Sequence, residues 1–464
     1  MTFGSLLLCL FIFYIIVRKG SIISKYKNLL LMDICIEMLF PRGYFLKIGT
    51  SEVTYNLFMS CFMIIASWYV FIKGKVKIPK NIFFYGISFL IVALIGVIYQ
   101  ELSPIEGLIM GHNSGGWDDY SLGIPNKVPV DISWMRVASL YVTLINMVFV
   151  VFIFKSVICY SEILEMLKKI NYILRINLFS VAIEFFLKNI MSLNIISDIL
   201  KFVLGDGTST YTNLIVRNGL YQLQGVTREP SHLAVTLFFT VVLYIQERRL
   251  LSNKKITIKD YAYIGICVLM SYFSGSFASF LYIGVAIIWF IYLYSLTKGK
   301  FYKIAVVSLS IITSLTVLYF VFFQGIDSSS YLGGRINLAS TMLSAVVTND
   351  WYGMGGDSAL PRFLSIFETL NDFFKRPVFG LGISVEQSYG GLVNMLADIG
   401  VIGVLNWFIF VLSRYRYDNK SLFILLILSN LLVSISFNCL GSTSIVFIIA
   451  CFRVVDANCL KKPI

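Results

Sequence analysis

Arg228, Glu229, Ser231 and His232 stand together in the stretch Gly225–Thr240, GVTREPSHLAVTLFFT. Guanidinium groups bind phosphate oxygens as a two-pronged fork and stay charged. A carboxylate or an imidazole can take a proton from an attacking hydroxyl. The cluster sits at the mouth of an apolar run that begins at Leu233, so it has to be held at a water-facing edge. His232 is one of two histidines in the chain. Arg217 lies just before this stretch; further on, Arg335 opens the helix-like run Arg335–Val347 and Arg362 lies at the start of the run Pro361–Arg376. We read Arg217, Arg228, Arg335 and Arg362 as ligands for an anion, and a lipid-linked diphosphate is the natural anion to reach from a bilayer. Glu229 or His232 is then the candidate base. Each residue also has an ordinary role to weigh against this one. An arginine at a membrane edge can be a snorkelling anchor. A glutamate before Pro230 complements a helix start. A lone interfacial histidine is more often packed than catalytic.

The elements that must position these residues are membrane spans. The chain has 464 residues, 58% hydrophobic and 14% charged, with mean hydropathy +0.81. Soluble proteins carry about 25% charged residues. The apolar residues come in blocks of about 17–22, long enough to cross a bilayer as helices. The alternating segments of roughly 10 residues that a membrane β-barrel needs are absent. The expected fold is therefore all-α: a polytopic integral membrane protein with about thirteen transmembrane helices (roughly twelve to fourteen). It forms one membrane domain over residues 1–464, with two large outer loops at 189–231 and 324–391. The net charge of +13 sits in short loops between spans, so it marks topology and not nucleic-acid binding. The eight cysteines form no CxxC pair, which supports neither a disulfide frame nor a zinc site. HExxH and P-loop motifs are missing, which argues against a zinc protease or an ATP-driven pump. No cofactor is expected, and with no metal-ligand cluster in view the chemistry is expected to be metal-independent.

Basic residues set the orientation. Arg18, Lys19, Lys25 and Lys27 follow the first span, Thr2–Val17, and place that loop in the cytoplasm and the N-terminus outside. A short second span is expected at about Asn28–Phe40, carrying Asp33 and Glu37. Further spans are expected near Val53–Ile72, Ile82–Tyr99, Trp134–Phe154, Tyr172–Lys188, His232–Ile245, Tyr261–Phe273, Phe277–Leu296, Ile304–Phe323, Leu392–Leu412, Leu422–Ser436 and Ser442–Phe452. Lys155–Asn171 reads as a cytoplasmic loop. Ser192–Leu204 reads as an amphipathic helix lying on the membrane. In the second outer loop, Pro361–Arg376 is amphipathic, with Phe363, Ile366, Phe367, Leu370, Phe373 and Phe374 on one stripe. Phe379–Gly382 turns the chain, and Asn394 and Asp398 fall in the first turns of the next span.

In these features the chain resembles the O-antigen polymerase (Wzy) family of bacterial inner-membrane proteins. The resemblance rests on GVTREPSH (Gly225–His232) at the head of a span. It rests also on Gly334–Arg335, RPVFGLGI (Arg376–Ile383) and NMLADIGVIG (Asn394–Gly403) in that order. The Arg-x10-Gly spacing of some polymerases is not reproduced at Arg217, Arg335 or Arg362. The resemblance implies polymerisation of undecaprenyl-diphosphate-linked oligosaccharide repeat units on the periplasmic face, in a fold like the C-type glycosyltransferases. The implied partners are that lipid-linked oligosaccharide, membrane lipid and a chain-length regulator protein, with no nucleic acid. Sister O-antigen ligases, which transfer glycan to lipid A-core, usually carry a histidine in the last large outer loop. No histidine follows His232 here, which favours the polymerase. A lipid-linked oligosaccharide flippase or other transporter is the rival outside enzymes. It would place ionisable residues along mid-membrane cavities, whereas these charges gather in the outer loops.

Overall fold

The computed structural model describes residues 2–40, 43–48, 51–74, 76–105, 132–204, 216–217, 220–227, 230–251, 258–274, 366, 369–385, 391–413 and 440–452. These residues are mostly helical. In chain order the helices are α1 (Phe3–Val17), α2 (Ile22–Leu39), α3 (Tyr55–Gly74), α4 (Lys80–Leu102), α5 (Trp134–Ser156) and α6 (Tyr160–Phe185). A π-helical turn, Phe186–Ile190, extends α6. Then come α7 (Ile195–Leu204), α8 (Pro230–Leu251), α9 (Ile258–Phe273), α10 (Gly391–Leu412) and α11 (Thr443–Cys451). Five of these are long and apolar enough to cross a membrane: α3, α4, α5, α6 with its π turn, and α10. The protein is a multi-pass helical membrane protein. The expected spans at 277–296, 304–323 and 422–436 lie outside the described residues.

The helices differ in how they meet lipid. Helix α1 buries Ser5, Leu8 and Ile12 on one narrow stripe, while Phe3, Leu10, Phe11, Phe13 and Tyr14 are exposed. So much bare apolar surface is untenable in water and ordinary in a bilayer. Helix α8 is the opposite case. Leu233, Val235, Leu237, Phe238, Phe239, Val241 and Leu243 are all buried, so every face of it packs on protein. Its threonines bond inward: Thr236 Oγ1 donates to the Met38 carbonyl at 2.9 Å, and Thr240 Oγ1 to the Thr236 carbonyl at 2.7 Å.

Two expectations need correction. The segment expected as a basic loop, Lys155–Asn171, is mostly helix, because α6 already begins at Tyr160. The Cys159 amide donates to Glu162 Oε2 at 2.9 Å and starts the helix. Ile163, Met166, Leu167 and Ile170 are buried at helical spacing, and the lysines on the opposite face hid that stripe. Helix α2 is also longer than expected, running from Ile22 with Ser21 as its cap.

Two short antiparallel hairpins, Tyr44–Ile48 with Ser51–Thr54 and Val216–Arg217 with Leu220–Tyr221, depart from the all-α expectation. Each lies in a connection between helices, too short to show strand alternation in sequence.

Candidate functional site

The segment leading into α8 is held by the end of α6. Glu184 and Lys188, one turn apart on α6 and its π turn, are both buried, and Lys188 Nζ lies 2.6 Å from Glu184 Oε1. The same carboxylate accepts the Gln224 amide at 3.2 Å and the Gly225 amide at 2.7 Å. One lysine and two backbone N–H groups satisfy a charge that is expensive to bury alone. Asn189, inside the π turn, grips the next strand edge. Its Oδ1 accepts the Tyr221 amide at 2.7 Å, and its Nδ2 donates to the Tyr221 carbonyl at 3.2 Å. Gly225 has φ +58, and a Cβ there would lie 3.0 Å from Val181 and 3.2 Å from Leu233. Only glycine meets both demands without strain. A 3-10 turn, Gly225–Thr227, follows, closed by Thr227 Oγ1 on the Gln224 carbonyl at 2.7 Å.

Pro230 opens α8, the first-turn position that proline favours. His232 sits in that first turn, 2% exposed, and its carbonyl oxygen lies 3.1 Å from Thr236 Oγ1. The cluster was expected at a water-facing edge, but the His232 side chain is buried. Arg217 is placed by its backbone in the strand pair Val216–Arg217 with Leu220–Tyr221. Arg228, Glu229, Arg335 and Arg362 lie outside the described residues. Sequence reasoning passed over Glu184, Lys188 and Asn189. Their signal was a Glu–Lys pair at i, i+4 inside an apolar run.

The later motifs meet one another. Helix α10 breaks at Gly400, φ 65. The turn from Pro377 to Gly382 inserts at the break. The Leu381 amide donates to the Ala397 carbonyl at 2.6 Å and the Gly382 amide to the Asp398 carbonyl at 3.2 Å. In return the Val401 amide donates to the Pro377 carbonyl at 2.8 Å and the Ile402 amide to the Val378 carbonyl at 3.2 Å. In a bilayer a broken helix persists only if its freed backbone groups find partners, and here the turn supplies them. Gly380 and Gly382 have φ 75 and 105, and a Cβ on either would come within 2.8 Å of backbone in α10 or α4. Asp398 is buried and accepts Asn394 Nδ2 at 2.9 Å. Arg376 fastens the turn to α4, donating to Gln100 Oε1 at 2.9 Å and to the Ser103 carbonyl. Its guanidinium lies 4.2 Å from the Tyr99 ring centroid. Burial pulls the Arg376 pKa below its ordinary value. On the amphipathic stripe expected before this turn, Phe373 is buried but Phe374 is exposed; Asp372 and Thr369 face inward beside Phe373 instead.

A second polar cluster lies inside the helix bundle. Asp33 and Glu37 of α2 are both buried, together with Ser60 of α3, Asn146 of α5, and Thr443 and Ser444 of α11. Glu37 Oε2 accepts Thr443 Oγ1 at 2.8 Å, the Ser444 amide at 3.0 Å and Ser444 Oγ at 3.0 Å. It occupies the N-terminal end of α11, where a carboxylate complements the helix dipole. This acid pair inside the bundle departs from the expectation that charges gather in the outer loops. Among the described residues no group of three or more His, Cys, Asp or Glu side chains is arranged to hold a metal ion.

No family model, no curated protein and no solved structure matches this chain.

Proposed function

We propose that the chain is a membrane glycosyltransferase of the O-antigen polymerase (Wzy) kind. It would polymerise undecaprenyl-diphosphate-linked oligosaccharide repeat units of an O-antigen or related surface polysaccharide on the periplasmic face of a bacterial inner membrane. The layout of about thirteen spans and the likeness to C-type glycosyltransferases belong to this reading. In the reaction, the bond between the sugar anomeric carbon and the lipid diphosphate breaks. A bond to a hydroxyl of the incoming repeat unit forms, the hydroxyl proton passes to Glu229, and the lipid diphosphate leaves. Arg228, Arg335, Arg217 and Arg362 would neutralise the charge that develops on the diphosphate. Burial of His232 shifts the choice of base towards Glu229.

The observation that carries this reading is the anchoring of the GVTREPSH stretch. Its leading turn is pinned to α6 by the Glu184–Lys188 pair, and its trailing end opens a helix packed on all sides. Arg228 and Glu229 fall in the chain between these two fixed points, as a site that must stay aligned on a bulky substrate requires. The docking of RPVFGLGI onto NMLADIGVIG lends further support, since two motifs of the resemblance depend on one another. Analysis of surface sugars in a deletion strain tests the proposal: single repeats on the lipid anchor are expected. Loss of all capped material would point to a ligase or a flippase instead. A flippase or transporter is the second reading, favoured by the acid pair Asp33–Glu37 inside the bundle.

A further inference from the structure

Asp33 and Glu37 lie one helical turn apart on α2 and share a donor. Thr443 Oγ1 is 3.0 Å from Asp33 Oδ2 and 2.8 Å from Glu37 Oε2. A hydroxyl has one hydrogen, and an ionised carboxylate only accepts. Thr443 can therefore serve one of the two acids as donor, not both. Glu37 also has the Ser444 amide and hydroxyl. Asp33 Oδ2 is left with the Asn146 amide at 3.3 Å, which also reaches Ser60 Oγ at 3.4 Å. Asp33 Oδ1 and Asn146 Oδ1 are buried with no hydrogen-bond partner, and both residues are at least nine-tenths buried. Two buried oxygens, on side chains that already bond one another through Asn146 Nδ2 and Asp33 Oδ2, are thus left without a donor beside a second carboxylate. Two ionised carboxylates so close in a low-dielectric interior repel strongly.

The surrounding charges do not resolve this. Among the described residues, no lysine, arginine or histidine forms an ion pair with either acid. The groups facing the pair from α3, α5 and α11 with its cap are Ser60, Asn146, Ser442, Thr443 and Ser444, all uncharged. Tyr26 and Cys35 on α2 are close enough to Asp33 to feel its charge, and neither is a cation. Lys27 is engaged with Glu162 at the opposite end of α2. On α8 the nearest titratable side chain along the helix is His232, one turn above Thr236, which bonds the Met38 carbonyl.

We propose that this cluster is an intramembrane binding site for one small monovalent cation, a proton or a sodium ion. The Asp33 carboxylate holds it, with oxygens of Asn146, Ser60 and Thr443. Occupancy removes one negative charge from the pair and draws α2, α3, α5 and α11 together, since each contributes a ligand. The site shares no residue with the GVTREPSH stretch and stands whether or not the chain is a polymerase.

The test is thermal unfolding of the purified full-length chain in lipid nanodiscs, comparing wild type with Asp33→Asn and Glu37→Gln. Sodium chloride is titrated against choline chloride at equal ionic strength, over a range of pH. An amide imitates the protonated acid, so both variants are expected to fold. For a sodium site, sodium raises the wild-type Tm saturably and choline does not. For a proton site, sodium has no specific effect. Raising the pH then lowers the wild-type Tm, because deprotonation leaves two buried charges. In either case the response is lost in Asp33→Asn and weakened in Glu37→Gln. A wild-type Tm indifferent to both sodium and pH overturns the proposal, and so does an undiminished response in both variants. Gly265→Ala, inside α9 with nothing within 4 Å of an added Cβ, is the control, and it should keep the wild-type response.

Discussion

Glu184 carries the constraint on the candidate site, and a single substitution exposes it. Glu184→Gln leaves the Lys188 ammonium buried without a counter-charge and weakens the hold on Gln224 and Gly225. Breaking a buried pair from one side costs about 3–5 kcal/mol, so a clearly lower Tm is expected. Adding Lys188→Met to that variant should recover part of the loss, which a double-mutant cycle measures. If Lys188→Met costs as much in the Glu184→Gln background as in the wild type, the pair contributes no more than its separate parts. Glu229→Gln tests the base. Glutamine keeps the size and most of the hydrogen bonding but takes no proton. A capping role would lose about 1 kcal/mol of stability or less and leave a normal polymer ladder. A general base would lose roughly 10²–10⁴-fold in rate and leave single repeats at wild-type protein level. Residue types at GVTREPSH were legible in the sequence because charges beside an apolar run stand out. The partners of Asp33 were not: Asn146 and Thr443 lie 113 and 410 residues away in the chain, and only packing brings them together.

Among the elements, broken helix α10 depends most on single atoms. A Cβ at Gly400 would lie 2.3 Å from the Val378 carbonyl oxygen, and at Gly380 2.5 Å from the Ala397 carbonyl oxygen. Both residues also hold positive φ, which a side chain disfavours. Gly400→Ala and Gly380→Ala should each destabilise by well over about 1 kcal/mol, measured as a fall in Tm and in yield of folded protein. Gly265 gives the contrast. It sits inside α9 with nothing within 4 Å of a Cβ. Gly265→Ala should leave the protein as stable or raise stability by up to about 1 kcal/mol. If all three behave alike, close backbone approach is not what fixes these glycines. The turn at Phe379–Gly382 was legible from its glycines, and the helix starting near Gly391 from its apolar run. The break at Gly400 was not, because NMLADIGVIG keeps a helical pattern through it. The early start of α6 was hidden for a related reason: lysines on its polar face resembled a loop.

At the scale of the whole molecule, composition alone made the multi-pass helical architecture legible, since no soluble core could use so many apolar blocks. Orientation rests on the placement of basic residues and is open to direct test. With the native cysteines replaced by serine, a cysteine introduced at Ser114 or Ser358 should react with an impermeant thiol reagent in intact spheroplasts. One at Asn253 should not, and its labelling would reverse the topology. The reaction itself is tested most directly with the purified chain in lipid nanodiscs and an undecaprenyl-diphosphate-linked repeat unit as sole substrate. A membrane polymerase that draws its driving force from the lipid diphosphate should convert single repeats into a ladder of integral multiples, with no nucleotide added. Arg228→Lys should shorten that ladder sharply, because a point charge lacks the guanidinium fork. Repeat units that remain single with the folded wild-type protein would contradict the proposed polymerase.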